Sequence, residues 1–317
     1  MNTNAPVPTA APAWPFPDDF AFSQSSLQAY EDCPRRFWLA YVQQLPWPAL
    51  EAAPALEYEQ QLRWGSVFHK LVERAETGLH VPAANLPTPL AEWWDAYANH
   101  RPRDLDLGRR EVEFVLNATL TRSGQSPPDQ AEQDATVPGA IYRVAAKYDL
   151  IAIVEDGPII IVDWKTGARR PRPETIQRKW QTALYPFVLV ESAANLDWGP
   201  IDPERIELRY WFTAEPENPI IFRYSRLRHE ETRTRLTATV REIFAGVGER
   251  DFPKIPDTEA NRLRFCQFCI YRSRCDRGIS AGPLDETLND TLDTSLDENL
   301  LANALDFTLD DVGELAF

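Results

Sequence analysis

The sequence predicts an α/β fold, and three observations carry that prediction. Apolar residues recur at helical spacing up to about residue 77, and the pattern turns strand-like from Glu111. Two apolar arms, Tyr148 to Val154 and Pro158 to Trp164, flank Glu155-Asp156-Gly157, a strong turn signal. Helix-like and strand-like stretches then alternate as far as Phe244.

In chain order, residues 1–20 are rich in Pro and Ala and read as a disordered lead-in. Residues 22–43 read as helical, with Leu27, Tyr30, Phe37 and Tyr41 at near-helical spacing. Ser25 or Ser26 is the expected cap, and Pro34 should interrupt the segment or open a new first turn. A second helix spans Glu57 to Thr77 and contains Gly65-Ser66-Val67-Phe68-His69. Residues 80–108, Pro-rich with a Trp93-Trp94 pair, receive no element. Strands are expected at Glu111 to Leu120, Ala140 to Lys147 and the two hairpin arms. A helix at Thr175 to Ser192, strands at Ile206 to Thr213 and Ile220 to Tyr224, and a helix at Glu230 to Phe244 follow. No linker divides residues 21–279, which read as one domain before an acidic tail, 280–317. In the tail Leu284, Leu288, Leu292, Leu296 and Leu300 recur every four residues, as a disordered segment or an amphipathic helix.

With 44% hydrophobic residues and 10 Trp in 317, a packed core is attainable. No long uncharged apolar run exists, so no membrane span is expected. No secretory signal is visible either, so a cytoplasmic protein is expected. The net charge of -15 argues against nucleic acid only superficially. Residues 281–317 carry ten acidic and no basic residues. Two body segments are locally basic: Lys165 to Lys179, with Lys165, Arg169, Arg170, Arg172, Arg178 and Lys179 against Glu174, and Arg262 to Arg277, with five Arg against Asp276. Phosphate binding follows local potential, although solvated surface charge explains such runs equally well.

The sharpest segment is Ile159-Ile160-Ile161-Val162-Asp163-Trp164-Lys165. Alternation along a strand puts Asp163 and Lys165 on one face. They form either a structural ion pair or a phosphodiester-hydrolysing pair, with Asp163 on a divalent metal and Lys165 at the attacking water. Magnesium wants several oxygen ligands, and Asp149 on the other arm is the candidate second carboxylate. With a three-residue loop, Val154 pairs with Pro158 and Asp149 falls opposite Asp163; a two-residue turn would put them on opposite faces. Gly157 suits the left-handed position of the longer loop. His69, four residues beyond Gly65, is a further candidate ligand or a structural histidine. Gln181 and Tyr185 share a helix face, as site residues or as core with a polar edge. Cys266, Cys269 and Cys275 form a C-x2-C-x5-C cluster, with Cys33 far upstream. Four thiolates suit zinc or an iron–sulfur cluster, and unrelated core cysteines are the plain alternative.

These residues together resemble a known family. Ser23-Gln24-Ser25-Ser26-Leu27 through Tyr30 and Cys33-Pro34-Arg35-Arg36-Phe37 resemble the opening of cluster-bearing, RecB-type PD-(D/E)XK nucleases. Gly65-x3-His69, Asp149, Asp163-Trp164-Lys165 and Gln181-x3-Tyr185 match that family's motifs, in its order, and the four cysteines match its 4Fe-4S ligands. The resemblance implies a restriction-endonuclease-like core, a central mixed β-sheet flanked by helices, with a helical N-terminal part and a C-terminal cysteine segment. It implies Mg or Mn held by His69, Asp149, Asp163 and the Trp164 carbonyl, with Lys165 at the water and Gln181 and Tyr185 supporting. It implies a 4Fe-4S cluster on Cys33, Cys266, Cys269 and Cys275, with zinc as the alternative. The implied substrate is DNA, as single strands or ends, cut by an exonuclease rather than an endonuclease in repair or recombination, with Arg169, Arg170, Arg178 and Lys179 on the DNA. Similar domains occur in AddAB helicase–nucleases and CRISPR-associated exonucleases. The chain has no G-x4-G-K-[ST] loop, so unwinding would need a helicase or repair partner. Where the family often has Gly three residues before its first Asp, this chain has Ala146. A non-catalytic DNA-binding module and a scaffold whose acidic tail mimics DNA or recruits a partner are the competing readings.

Overall fold

The computed structural model describes residues 16, 20–45, 53–121, 141–167, 169–267 and 269–278. The expected lead-in, apart from Phe16 and Phe20, and the acidic tail lie outside the described residues.

Five strands follow one path in the sheet and a sixth joins from the side. β2 (Arg109–Thr121) and β3 (Ile141–Ile153) form a long antiparallel pair. β3 pairs antiparallel with β4 (Ile159–Lys165), which runs parallel to β5 (Ile206–Phe212). β6 (Ile220–Arg223) closes that edge antiparallel to β5, and β1 (Ala21–Phe22) adds parallel to β3. The parallel β4–β5 step needs a crossover, supplied by α5 (Pro173–Gln177) and α6 (Trp180–Ser192). The remaining α-helices among the described residues are α1 (Gln24–Asp32), α2 (Pro34–Phe37), α3 (Ala53–Glu76), α4 (Thr88–His100), α7 (Arg226–Ala245) and the short α8 (Glu259–Asn261).

Helices cover both faces, which is why β4 is an unbroken apolar run up to Asp163. Ile159 and Ile161 enter a core with Leu27 of α1, Phe37 of α2, Leu184 of α6 and Leu236 of α7. Ile160, Val162 and Trp164 enter a second core with Phe68 and Leu71 of α3, Tyr97 of α4 and Trp211 of β5. At about 1.5–3 kcal/mol per buried large apolar side chain, these two layers fix β4 between them. This mixed sheet flanked by helices is the expected restriction-endonuclease-like α/β arrangement.

The hairpin register is the one the three-residue loop requires: Leu150 pairs with Val162 and Ile153 with Ile159, and the Val154 N–H donates to the Pro158 carbonyl at 3.2 Å. The left-handed residue is Asp156, at φ 53°, and not Gly157 as expected. Asp tolerates that region. Gly157 serves close approach instead, since a Cβ there would lie 2.8 Å from Val154 Cγ1.

Several element boundaries also differ, each for a tertiary reason. Phe22 is drawn into the sheet beside Val144, so Ser23 rather than Ser25 or Ser26 is the last extended residue and caps α1. Its hydroxyl accepts from the Ser26 N–H at 3.2 Å, and Ser26 Oγ accepts from the Ser23 N–H at 2.9 Å. Cys33, before Pro34, is extended at φ -164° and ψ 106°, breaking the expected helix. The expected Thr175–Ser192 helix is split at Lys179, because the Trp180 N–H donates to Gln28 Oε1 of α1 at 3.2 Å. Residues expected as two strands, 140–147 and 148–154, form the single β3, paired along its length with β2. The unassigned Pro-rich stretch contains α4, whose Leu90 and Tyr97 are buried. Among the described residues no helix is long and apolar enough to cross a membrane.

Candidate active site and cysteine bay

The site forms where β3 and β4 part. Their main-chain pairing stops at Leu150 and Val162, one residue short of Asp149 and Asp163. There the Trp164 N–H donates to Asp149 Oδ2 at 2.8 Å, so a carboxylate takes the place of a strand partner. Gly65 of α3 lies under the loop after β4: a Cβ there would stand 3.2 Å from Thr166 Oγ1. One turn on, His69 Nδ1 is 3.2 Å from Asp149 Oδ1. Asp163, 3% exposed, is held from two sides. Gln181 Nε2 of α6 donates to its Oδ1 at 2.6 Å, and Lys165 Nζ contacts its Oδ2 at 2.8 Å.

Glu113 of β2 is a residue that sequence reasoning missed. It falls between the pairs Val112–Leu150 and Phe114–Tyr148, hence across from Asp149. Its backbone is left-handed at φ 51°, a conformation costing about 1–3 kcal/mol in a non-glycine residue. That twist also changes the strand's face: Val112 packs into the α3–α4 core and Phe114 into the other. Like charges opposite each other in a sheet are unfavourable. Here His69, Glu113 and Asp149 offer ligand atoms all within 4.8 Å of one another, and Lys147 Nζ sits 2.5 Å from Glu113 Oε2.

The electrostatics describe a group short of positive charge. Burial, reinforced by the Asp149 charge, raises the Glu113 carboxyl above its ordinary value despite Lys147. Burial likewise pushes Asp163 up to about 7, with Asp149 adding to it against the pull of Lys165. Asp149 is lowered: burial opposes ionisation there, but His69 and the Trp164 N–H outweigh it. An imidazole and carboxylates this close suit a divalent cation, whose charge would favour the ionised form of the carboxyls that burial raises.

Of the other expected site residues, Tyr185 lies one turn beyond Gln181, 4% exposed, its ring 5.1 Å from Tyr148, whose hydroxyl donates to the Tyr185 carbonyl. Arg169 is exposed and Arg170 half-buried in the segment after β4. Arg178 is exposed and Lys179 half-buried at the α5–α6 junction, just before Gln181.

The cysteines converge at the junction of α1 and α2, where Cys33 lies. Cys33, Cys266, Cys269 and Cys275 line one bay with Arg36, Lys254, Arg272 and Arg277. Burial and the neighbouring thiols raise Cys266 to about 11, and burial first of all raises Cys269 and Cys275. Such thiols become thiolates readily only on binding a metal. Among the described residues, the sulfurs do not gather within 4.8 Å as the His69 group does. The bay ties distant segments together: Arg35 Nε donates to the Phe252 carbonyl at 2.8 Å, and the Tyr271 hydroxyl to the Leu45 carbonyl at 3.1 Å.

A mixed sheet with helices on both faces, carrying a buried Asp-x-Lys strand beside a second Asp, defines a restriction-endonuclease-like protein. Residues 21–276 match the model of the PD-(D/E)XK nuclease superfamily, and the chain belongs to that superfamily. The solved structures similar to it include these two. One is SSO0001, 13% identical, covering 82% of this chain and 87% of that one at a TM-score of 0.36. The other is a candidate exonuclease from Eubacterium rectale, 10% identical, covering 76% and 87% at a TM-score of 0.41. Likeness at these scores carries nothing about substrate or site. No curated protein matches the chain.

Proposed function

We propose that this nuclease-superfamily member is a divalent-metal-dependent deoxyribonuclease acting on single strands or DNA ends, as an exonuclease rather than an endonuclease. The observation that carries the proposal is the half-buried group of His69, Glu113 and Asp149, with the buried Asp163 and its Lys165 contact on the neighbouring strand. His69, Asp149 and Asp163, joined by Glu113 and the Trp164 carbonyl, would hold Mg or Mn. When bound, the metal supplies Lewis-acid polarisation of the phosphate and eases deprotonation of water. Lys165 orients the attacking water and steadies charge on the phosphoryl oxygens. The water oxygen bonds to phosphorus, the bond from phosphorus to one sugar oxygen breaks, and that oxygen leaves with a proton. Gln181 holds Asp163 in place through Oδ1. Tyr185 braces α6 against Tyr148. Arg169, Arg170, Arg178 and Lys179, on the segment that runs from Lys165 to Gln181, bind the DNA backbone.

At the bay, we infer a 4Fe-4S cluster on the four cysteines, with zinc as the alternative. The cationic lining of the bay suits the net negative charge of such a cluster. A repair or recombination role beside a helicase accords with this reading.

The test is cleavage of end-labelled single-stranded DNA with magnesium or manganese. Asp163→Ala should lose at least about 10²-fold in rate while still binding DNA. A wild-type protein that cuts no DNA with either metal sinks the proposal. Circular single strands decide between the modes, since an exonuclease leaves them intact.

A further inference from the structure

Lysine carries a long flexible stem, with about 2 kcal/mol of rotamer entropy, so an ammonium used at a reacting centre must be confined. Asp163 supplies one contact for Lys165, and Tyr210 of β5 supplies another. Tyr210 pairs with Asp163 across the parallel β4–β5 ladder and is 1% exposed. Lys165 Nζ lies over its ring, 5.8 Å from the centroid. That is within the roughly 6 Å reach of a cation over an aromatic face.

The ring is itself locked. Its hydroxyl lies 2.8 Å from Thr182 Oγ1. The Thr182 hydroxyl donates to the Ile176 carbonyl at 2.7 Å. It has a single proton, so toward Tyr210 it accepts, and the tyrosine donates. This chain of bonds fastens Tyr210 to the α5–α6 crossover, and α6 also presents Gln181 to Asp163. On the far side, Phe222 of β6 meets the ring edge-on at 6.1 Å. One crossover thus braces these two partners of Lys165, the carboxylate through Gln181 and the ring through Thr182.

We propose that Tyr210 is a positioning residue for Lys165, its ring face confining the ammonium beside Asp163 and the Thr182 bond holding the ring. The assignment rests on the nuclease reading above. Tyr210 is 1% exposed, so its ring is shielded from a bound strand and its effect falls on turnover and not on substrate binding.

Tyr210→Leu should lower kcat by roughly tenfold with KM unchanged, as expected for losing a partly desolvated cation–ring contact. Tyr210→Phe keeps the face and should recover most of that rate. Should the leucine variant fail to fold, graded fluorination of phenylalanine at position 210 weakens the ring face at nearly constant shape. The rate kcat should then fall stepwise with fluorine content. A flat series, or a leucine variant with wild-type kcat, overturns the positioning role.

A second readout needs no activity. After reductive ¹³C-methylation, the Lys165 resonance, identified by its loss in Lys165→Met, should lie upfield from the ring current and move back in Tyr210→Leu. Its absence from the wild-type spectrum overturns the contact. If the wild type cuts no DNA while the shift is present, the nuclease reading fails and the contact stands.

Discussion

Glu113→Gln tests the acidic group directly, because the change keeps shape and removes one charge. The ligand atoms of His69, Glu113 and Asp149 lie within 4.8 Å of one another, so a cation among them meets all three. Two unit charges about 4 Å apart interact by about 4 kcal/mol at an effective dielectric near 20, and desolvation offsets much of that. Partners that merely orient metal ligands change affinity by about 10–100-fold. A direct carboxylate ligand should therefore give about 10², close to 2.7 kcal/mol. Without metal the expectation differs. Glu113 loses its repulsion with Asp149, and Lys147, 42% exposed, keeps water in its place. Metal-free stability should then change by less than about 1 kcal/mol, in line with exposed pairs. Calorimetric titration with manganese gives the affinity, and denaturant unfolding gives the stability. At a metal concentration of about 100 Kd the wild type gains about 2.7 kcal/mol, and a variant weakened 100-fold gains about 0.4. Unchanged manganese affinity refutes the reasoning. A loss of several kcal/mol in the metal-free variant would instead make Glu113 the partner of Lys147 in a structural ion pair.

Two further predictions concern the supports of the site. Glu191 of α6, 8% exposed at its side chain, meets His229 Nε2 at 2.9 Å and Arg233 at 2.7 Å on α7. Burial opposes its ionisation, but the His229 and Arg233 bonds prevail and lower its carboxyl below the ordinary 4.5. A depressed folded-state value gives stability that is present above 4.5 and lost as pH falls through that lower value. Urea unfolding across this acid range should lose stability more steeply in the wild type than in Glu191→Gln, and equal slopes would count against the clamp. At the bay, anaerobically purified protein should be brown with broad absorption near roughly 400 nm, as for iron–thiolate charge transfer. Cys33→Ser should bleach it and lower the melting temperature; a colourless wild type containing zinc would overturn the iron–sulfur assignment.

Much of this protein was legible from residue order alone, for local reasons. Strand alternation put Asp149 opposite Asp163 if the loop had three residues and on the other face if it had two, and the structure has the longer loop. Lys165 beside Asp163 followed from the same alternation, and the Gln181–Tyr185 face from helical spacing. Element ends were decided elsewhere. Phe22 left its helix for β3, and Trp180 broke another to reach Gln28, because both partners are distant in sequence. Glu113 was hidden for the same reason. Its place opposite Asp149 depends on the β2–β3 register, which no short turn sets in the way Glu155-Asp156-Gly157 sets the hairpin. The sequence by itself determined which side chains carry charge and which neighbours share a face, since those follow from covalent spacing. Only tertiary structure decided that a glutamate on β2, a histidine on α3 and a tyrosine on β5 meet at the fork of β3 and β4, because packing both faces of one sheet is what brings them there.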